Sequence, residues 1–176
     1  MSALSVLEKL GGIKASSLTQ LQRVLIITDG TLSEILEAAF LERIRLVKIS
    51  QEVVSSTASD AHLNPANGEA FLERKIILQG TKSNNNYVYA ESVIAIDRLS
   101  PRFYDELVHS DTSLGRLWLE HRLETFKELL EVQYERAGER SKHFHCDASG
   151  MLLAHTYRVF SAAVPVMTIT ECFPVE

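Results

Sequence analysis

The sequence predicts an α+β fold in which a single curved antiparallel sheet of about six strands is accompanied by helices. Apolar residues recur at helical spacing in the first forty residues and again after residue 100, whereas other stretches alternate with a period of two. Short polar turns separate the strand candidates. Because no internal repeat, low-complexity tract or long linker interrupts the chain, we expect residues 1–176 to form one domain.

Helices are predicted first along the chain. Apolar residues from Leu18 to Ile26 recur at helical spacing and stop at Gly30. Thr31 then starts a second helix, and the spacing to Glu34 predicts a capping box. Neither helix carries a basic surface, so DNA recognition by a helix-turn-helix is not expected.

From residue 43 the period changes to two, which predicts strands. The predicted elements are, in order, a strand over 43–54, a hairpin of strands 70–79 and 87–97, a helix over 101–109, a helix within 111–121, and strands 142–148, 152–160 and 164–173. The stretch 125–135 fits either a helix or a strand, and periodicity alone does not decide between them.

Composition restricts the possible functions. The chain has 176 residues, 45% of them hydrophobic, and a formal net charge of -5. This balance gives no general attraction for nucleic acid, so a bound anion requires individually placed Arg or Lys residues. Two cysteines, Cys146 and Cys172, are too few for a disulfide framework. With no signal peptide and no stretch of roughly 20 apolar residues, we expect a soluble cytoplasmic protein.

Two charged residues fall on apolar strand faces. Alternation places Arg74 with Leu72, Ile76 and Leu78, and it places Glu171 among apolar neighbours in the last strand. A lone buried charge is costly, so these two residues form a buried salt bridge, or one of the faces is more solvated than its apolar residues suggest, or both residues face a ligand cavity. In the cavity, Arg74 binds a carboxylate bidentately, and Glu171, its pKa raised by burial, contacts a hydroxyl.

The same residues carry a family resemblance. The segments 72–78, 87–96, 113–116 and 170–174 resemble, in this order, those of chorismate lyases, and 28–33 is similar to the first flap of these enzymes. The resemblance spans roughly residues 18–174. It implies a sheet that backs an internal site covered by helical flaps, and an enzyme that eliminates pyruvate from chorismate to leave 4-hydroxybenzoate.

The resemblance also implies roles for individual residues. Arg74 holds the ring carboxylate, Glu171 lies beside the phenolic oxygen, and backbone amides near Leu32 and Leu114 complete the pocket. It favours a strand over 125–135, and it implies neither a metal nor an organic cofactor. Because chorismate is a dianion, a second cation is expected, and Arg158 is the candidate.

Two other functions fit parts of the sequence. His143, His145, Cys146 and His155 suggest a metal site, and the first two share a face of the predicted strand 142–148, but the spacing matches no familiar zinc module. The same fold, known as UTRA, serves as the effector-sensing domain of some bacterial transcription regulators, which carry a basic winged helix ahead of it. Only about seventeen residues precede the first helix here, which favours an enzyme over such a regulator. The alternatives are a free-standing sensor and a lyase that acts on a related enol ether.

Overall fold

A computed structural model describes residues 12–55, 61–66 and 68–175. Six strands form one sheet in which every neighbouring pair is antiparallel, in the order β1-β2-β3-β6-β5-β4. The strands are β1 (Ile44–Ser55), β2 (Ala70–Gly80), β3 (Asn86–Ala95), β4 (Thr125–Arg136), β5 (Met151–Ser161) and β6 (Val164–Pro174). The sheet and its helices confirm the predicted α+β class.

Five α-helices occur in the described part of the chain. They are α1 (Gln20–Ile27), α2 (Leu32–Phe40), α3 (Pro101–His109), α4 (Leu114–Glu120) and α5 (Ser141–Phe144). Four short 3-10 helices, at Ala15–Ser17, Ala61–Leu63, Ile96–Arg98 and Gly138–Arg140, join these elements. None of the described helices is long and apolar enough to cross a membrane.

The helix ends show where local sequence rules applied. Ser100 caps α3 by accepting a hydrogen bond from the amide of Phe103, as its position before Pro101 predicts. The capping box predicted at Thr31 and Glu34 is wrong. Thr31 does precede α2, but its hydroxyl is buried and has no partner among the described residues. The capping box forms instead at the start of α1.

At two stretches, 125–135 and 142–148, tertiary packing decided the secondary structure. The ambiguous stretch 125–135 is strand β4, as the family resemblance implied. The strand predicted over 142–148 is wrong, because the chain there forms α5 and turns at His145, which adopts a left-handed φ of 53°. Phe144 packs against the sheet in this arrangement, and that contact outweighs the local alternation.

The core lies mainly on one face of the sheet. Helices α3 and α4 pack Phe103 and Leu117 against sheet residues such as Ile94. Helices α1 and α2 pack Leu25 and Leu36 against the other end of the same face. The two helix pairs therefore approach each other above the middle of the sheet, where a cavity lies.

Candidate active site

The cavity lies between the sheet and the N-terminal ends of α2 and α4. Its floor is apolar apart from a few groups, since Ile76, Ala90 and Ile169 line it beside Arg74 and Glu171. These two charged residues thus share one cavity, as the ligand interpretation predicted. A small, mostly apolar pocket with a few placed polar groups is typical of small-molecule sites.

The roof is made of two flaps, residues 30–33 and residues 113–115, which lead into α2 and α4. Leu32 and Leu114, the residues proposed to complete the pocket, both line it. The flaps touch, because the hydroxyl oxygens of Ser33 and Ser113 lie 3.2 Å apart. A Cβ atom on Gly115 would lie 2.6 Å from the side chain of Thr31, so this contact requires glycine.

Arg74 is a buried cation with unused donors. Its side chain is only 2% exposed, and its Nε and Nη2 atoms have no hydrogen-bond partner among the described residues. Burial lowers its pKa from 12.5 to about 10, partly opposed by the charge of Asp111, so it stays protonated at neutral pH. In the described part of the chain it forms no ion pair with Glu171, which excludes the salt-bridge interpretation.

Each carboxylate oxygen of Glu171 has a side-chain partner. One carboxylate oxygen lies 2.6 Å from Nε2 of His155, and the other accepts a 2.8 Å hydrogen bond from the hydroxyl of Tyr157. Burial favours a raised pKa, but His155, the charge of Lys127 and the Tyr157 hydroxyl outweigh it and hold the pKa of Glu171 below its ordinary value. The predicted upward shift is therefore wrong, and Glu171 acts as an ionised acceptor. Burial and Glu171 raise the pKa of Tyr157, which keeps it a donor.

Lys127 also lines the cavity, although no sequence argument identified it. It lies on β4, the stretch for which periodicity fitted both helix and strand, so its face could not be assigned beforehand. His155 and Tyr157 were likewise not recognised as partners of Glu171. The β5–β6 register, which pairs His155 with Glu171, brings them together, and alternation within a single strand contains no information about register.

The family model described as "Chorismate pyruvate-lyase Rv2949c-like" matches residues 26–176. The chain belongs to this family. A chorismate pyruvate-lyase of Mycobacterium tuberculosis is 32% identical over 155 residues, covering 86% of this chain and 78% of that protein. One from Mycobacterium leprae is 28% identical and covers 86% and 72%, respectively. The family predicted from the sequence is thereby confirmed.

Solved structures agree on the fold of this chorismate pyruvate-lyase family member. The effector domain of PhnF from Mycobacterium smegmatis superposes with a TM-score of 0.66 at 11% identity, covering 84% of this chain and 90% of that one. The C-terminal domain of the histidine utilization repressor from Pseudomonas syringae gives a TM-score of 0.61 at 15% identity, covering 75% and 92%. At such identities the likeness concerns the fold alone.

The structure does not bring Arg158, the predicted second cation, into the cavity. Its Nη2 atom lies 2.6 Å from a carboxylate oxygen of Glu128, and its Nη1 atom donates to the carbonyl oxygen of His62 at 2.7 Å. Tyr157 lines the cavity, and the next residue of a strand points to the opposite face. Arg158 is thus held in a surface ion pair.

The histidine cluster considered as a metal site is dispersed. His143 belongs to α5 and stacks on Tyr89, with ring centroids 5.4 Å apart, whereas His155 contacts Glu171 on β6. His143 and His145 do not share a strand face, since no strand forms there. Across the described ranges, no group of three or more His, Cys, Asp or Glu side chains is arranged to hold a metal ion.

Proposed function

We propose that this protein is a chorismate pyruvate-lyase that converts chorismate into 4-hydroxybenzoate and pyruvate. One observation carries the proposal: the buried guanidinium of Arg74 has unused donors and shares a small cavity with the ionised Glu171. A buried cation without a partner is costly, and an anionic ligand removes that cost. The named activity of the mycobacterial relatives supports chorismate as that ligand.

Arg74 is suited to bind the ring carboxylate. The Nε and Nη2 atoms lie along one side of a guanidinium group, and these are the two atoms that have no partner among the described residues. Two parallel hydrogen bonds from this side match the two oxygens of a carboxylate. Because Arg74 is fixed in β2, the ring of the ligand lies over the apolar floor of the cavity.

Glu171 is suited to bind the ring hydroxyl. An ionised carboxylate only accepts hydrogen bonds, so it favours a ligand that donates one. Its orientation is set by His155 and Tyr157, which contact one oxygen each. A carboxylate in this geometry distinguishes a hydroxyl-bearing ring from one without the hydroxyl.

The protein has little covalent chemistry to perform in this reaction. The carbon–oxygen bond that joins the enolpyruvyl group to the ring breaks, the adjacent hydroxyl-bearing carbon loses its hydrogen, and the methylene carbon of the side chain gains one. The products are pyruvate and 4-hydroxybenzoate, and no co-reactant is needed. Since an aromatic ring forms, catalysis depends on orientation and on stabilising developing charge.

We further propose that the enzyme acts in the cytoplasm, where its cysteines, Cys146 and Cys172, remain free.

A product assay tests this function. Purified protein mixed with chorismate is expected to release equal amounts of pyruvate, measured with lactate dehydrogenase, and 4-hydroxybenzoate, measured by chromatography. Glu171→Gln keeps the shape but removes the charge, and it is expected to lower kcat by about 100-fold. Glu131→Gln, at an exposed position on β4, is the matched control and retains activity.

Two outcomes would contradict the proposal in different ways. Micromolar binding of 4-hydroxybenzoate without turnover of chorismate would make the protein a sensor rather than a lyase. Neither binding nor turnover would remove the assignment of the cavity as a site for aromatic carboxylates.

A further inference from the structure

The cavity is lined by a second cation, the half-buried Lys127. Its Nζ atom lies 5.0 Å from the ring centroid of Tyr157 and 5.7 Å from that of Trp118. It donates hydrogen bonds to two backbone carbonyl oxygens at the start of the first flap, Thr28 at 3.4 Å and Gly30 at 3.2 Å. The ammonium group therefore lies beneath the flap and against the aromatic wall of the cavity.

Lys127 has no close counter-ion among the described residues. Both of its hydrogen-bond acceptors are neutral, and both bonds are long for an ammonium donor. Burial lowers its pKa, and the charges of Glu171 and Asp29 only partly oppose this. The cavity thus holds two cationic side chains, Arg74 and Lys127, and a single carboxylate, Glu171. A ligand with two carboxylates would give each cation a carboxylate partner, whereas a ligand with one would leave a cation without such a partner.

The two cations lie at different ends of the cavity. Lys127 contacts the ring of Tyr157, whose hydroxyl donates to Glu171, so the ammonium lies on the Glu171 side. Arg74 lies on β2 and Lys127 on β4, and strands β3, β6 and β5 lie between these two strands in the sheet. In chorismate the enolpyruvyl group is attached next to the hydroxyl-bearing carbon and away from the ring carboxylate. With the ring carboxylate on Arg74, the enolpyruvyl group lies near Lys127.

We propose that Lys127 binds the carboxylate of the enolpyruvyl side chain and so distinguishes the dicarboxylate substrate from the monocarboxylate product. This inference rests on the proposed lyase function. The charge-assisted bond to a carboxylate replaces the two long bonds to backbone carbonyls. As the carbon–oxygen bond breaks, negative charge develops on the enol oxygen, and the same ammonium stabilises it. The product 4-hydroxybenzoate lacks this carboxylate, so its binding depends on Arg74 and Glu171 alone.

The test compares two ligands in matched variants. Lys127→Met removes the charge and keeps much of the side-chain volume, Lys127→Arg keeps the charge, and Lys75→Met removes an exposed lysine beside Arg74 on the opposite face of β2. Lys127→Met is expected to lower kcat/KM for chorismate by about 100-fold. Its Kd for 4-hydroxybenzoate, from calorimetry, is expected to change less than about threefold, because a partner that the product does not contact contributes little to its binding. Lys127→Arg regains part of kcat/KM, and Lys75→Met behaves as wild type.

Three outcomes overturn the inference. An unchanged kcat/KM in Lys127→Met shows that the ammonium does not act on the substrate. An equal loss of chorismate turnover and 4-hydroxybenzoate binding shows that it supports the cavity as a whole, and a lowered melting temperature in both Lys127 variants shows a structural role.

The inference can be separated from the proposed function with a stable dicarboxylate, 3-(carboxymethoxy)-4-hydroxybenzoate. If wild type fails to turn over chorismate but binds this compound more tightly than 4-hydroxybenzoate, and Lys127→Met loses the preference, Lys127 keeps its role and the lyase activity is refuted. If the preference survives in Lys127→Met, the inference is wrong whatever the activity.

Discussion

Two arginines of this protein, the half-buried Arg98 and the buried Arg74, differ in their hydrogen-bond partners. The guanidinium of Arg98 contacts both carboxylate oxygens of Glu69, at 2.6 and 2.8 Å, and also donates to the carbonyl oxygens of Leu63 and Pro165. Arg74 is more deeply buried, yet two of its donor atoms have no partner within the described ranges. The satisfied arginine joins distant segments of the chain, whereas the unsatisfied one lines the cavity.

This difference has an energetic basis. A guanidinium that is fully bonded contributes to the stability of the native state, and loss of its partner is strongly destabilising. A guanidinium with unused donors lowers stability in the free protein, but it binds an anion without rearrangement. We therefore expect function to depend on Arg74 and stability on Arg98, and substitutions at the two positions should separate these effects.

The largest effect is expected at Arg74. Arg74→Met is predicted to lower kcat/KM for chorismate by about 1000-fold, because the ring carboxylate loses its bidentate partner in an apolar cavity. Its free energy of unfolding, measured with urea, is predicted to stay equal or to rise, since a buried unpaired charge is removed. A variant that unfolds more easily than wild type would show that Arg74 has a structural partner after all.

Arg98 should show the opposite result. Arg98→Met is predicted to lower the free energy of unfolding by about 3 kcal/mol, because Glu69 is left buried without its cation. Its kcat/KM should remain within about threefold of wild type when assayed well below the melting temperature, since Arg98 does not line the cavity. Adding Glu69→Leu should restore part of the lost stability. Loss of activity without loss of stability would contradict the comparison.

The smallest effect is expected at Glu42, a carboxylate that, like the guanidinium of Arg98, has several hydrogen-bond partners within the protein. It accepts hydrogen bonds from the hydroxyl of Tyr87, from the amide and hydroxyl of Ser83 and from the amide of Lys82, and these bonds lower its pKa from 4.5 to about 2. A lowered folded-state pKa gives stability that is present above pH 4.5 and is lost as the pH falls toward 2.

Glu42→Gln should therefore lower the melting temperature at pH 7 and reduce its dependence on pH between 4.5 and 2. Melting curves followed by circular dichroism at several pH values measure this. Glu131→Gln, at an exposed position, is the control. If the melting temperature of Glu42→Gln fell with decreasing pH as steeply as that of wild type, the pH dependence would belong to other carboxylates. Glu171 is one of these, since its pKa is also lowered.

Some features of the site could be read from the sequence because they depend on alternation along a single strand. Arg74 and Glu171 stand out among apolar neighbours of the same face, and both prove buried in the cavity. Alternation failed over 142–148, where the segment is short and the packing of Phe144 decided the structure. Alternation also did not decide between helix and strand over 125–135, so it could not place Lys127 on the cavity face of β4. The predicted second cation, Arg158, lies outside the cavity.

The sequence by itself determined the α+β class, most strands of the sheet and the two charged residues of its cavity-facing side, because these follow from local period and side-chain polarity. Only the tertiary structure decided which groups meet. The pairing of His155 with Glu171 depends on strand register, the position of Lys127 depends on β4 joining the sheet, and the contact between the flaps depends on residues some 80 positions apart. Such contacts are set by the packing of the whole chain, which no local pattern contains.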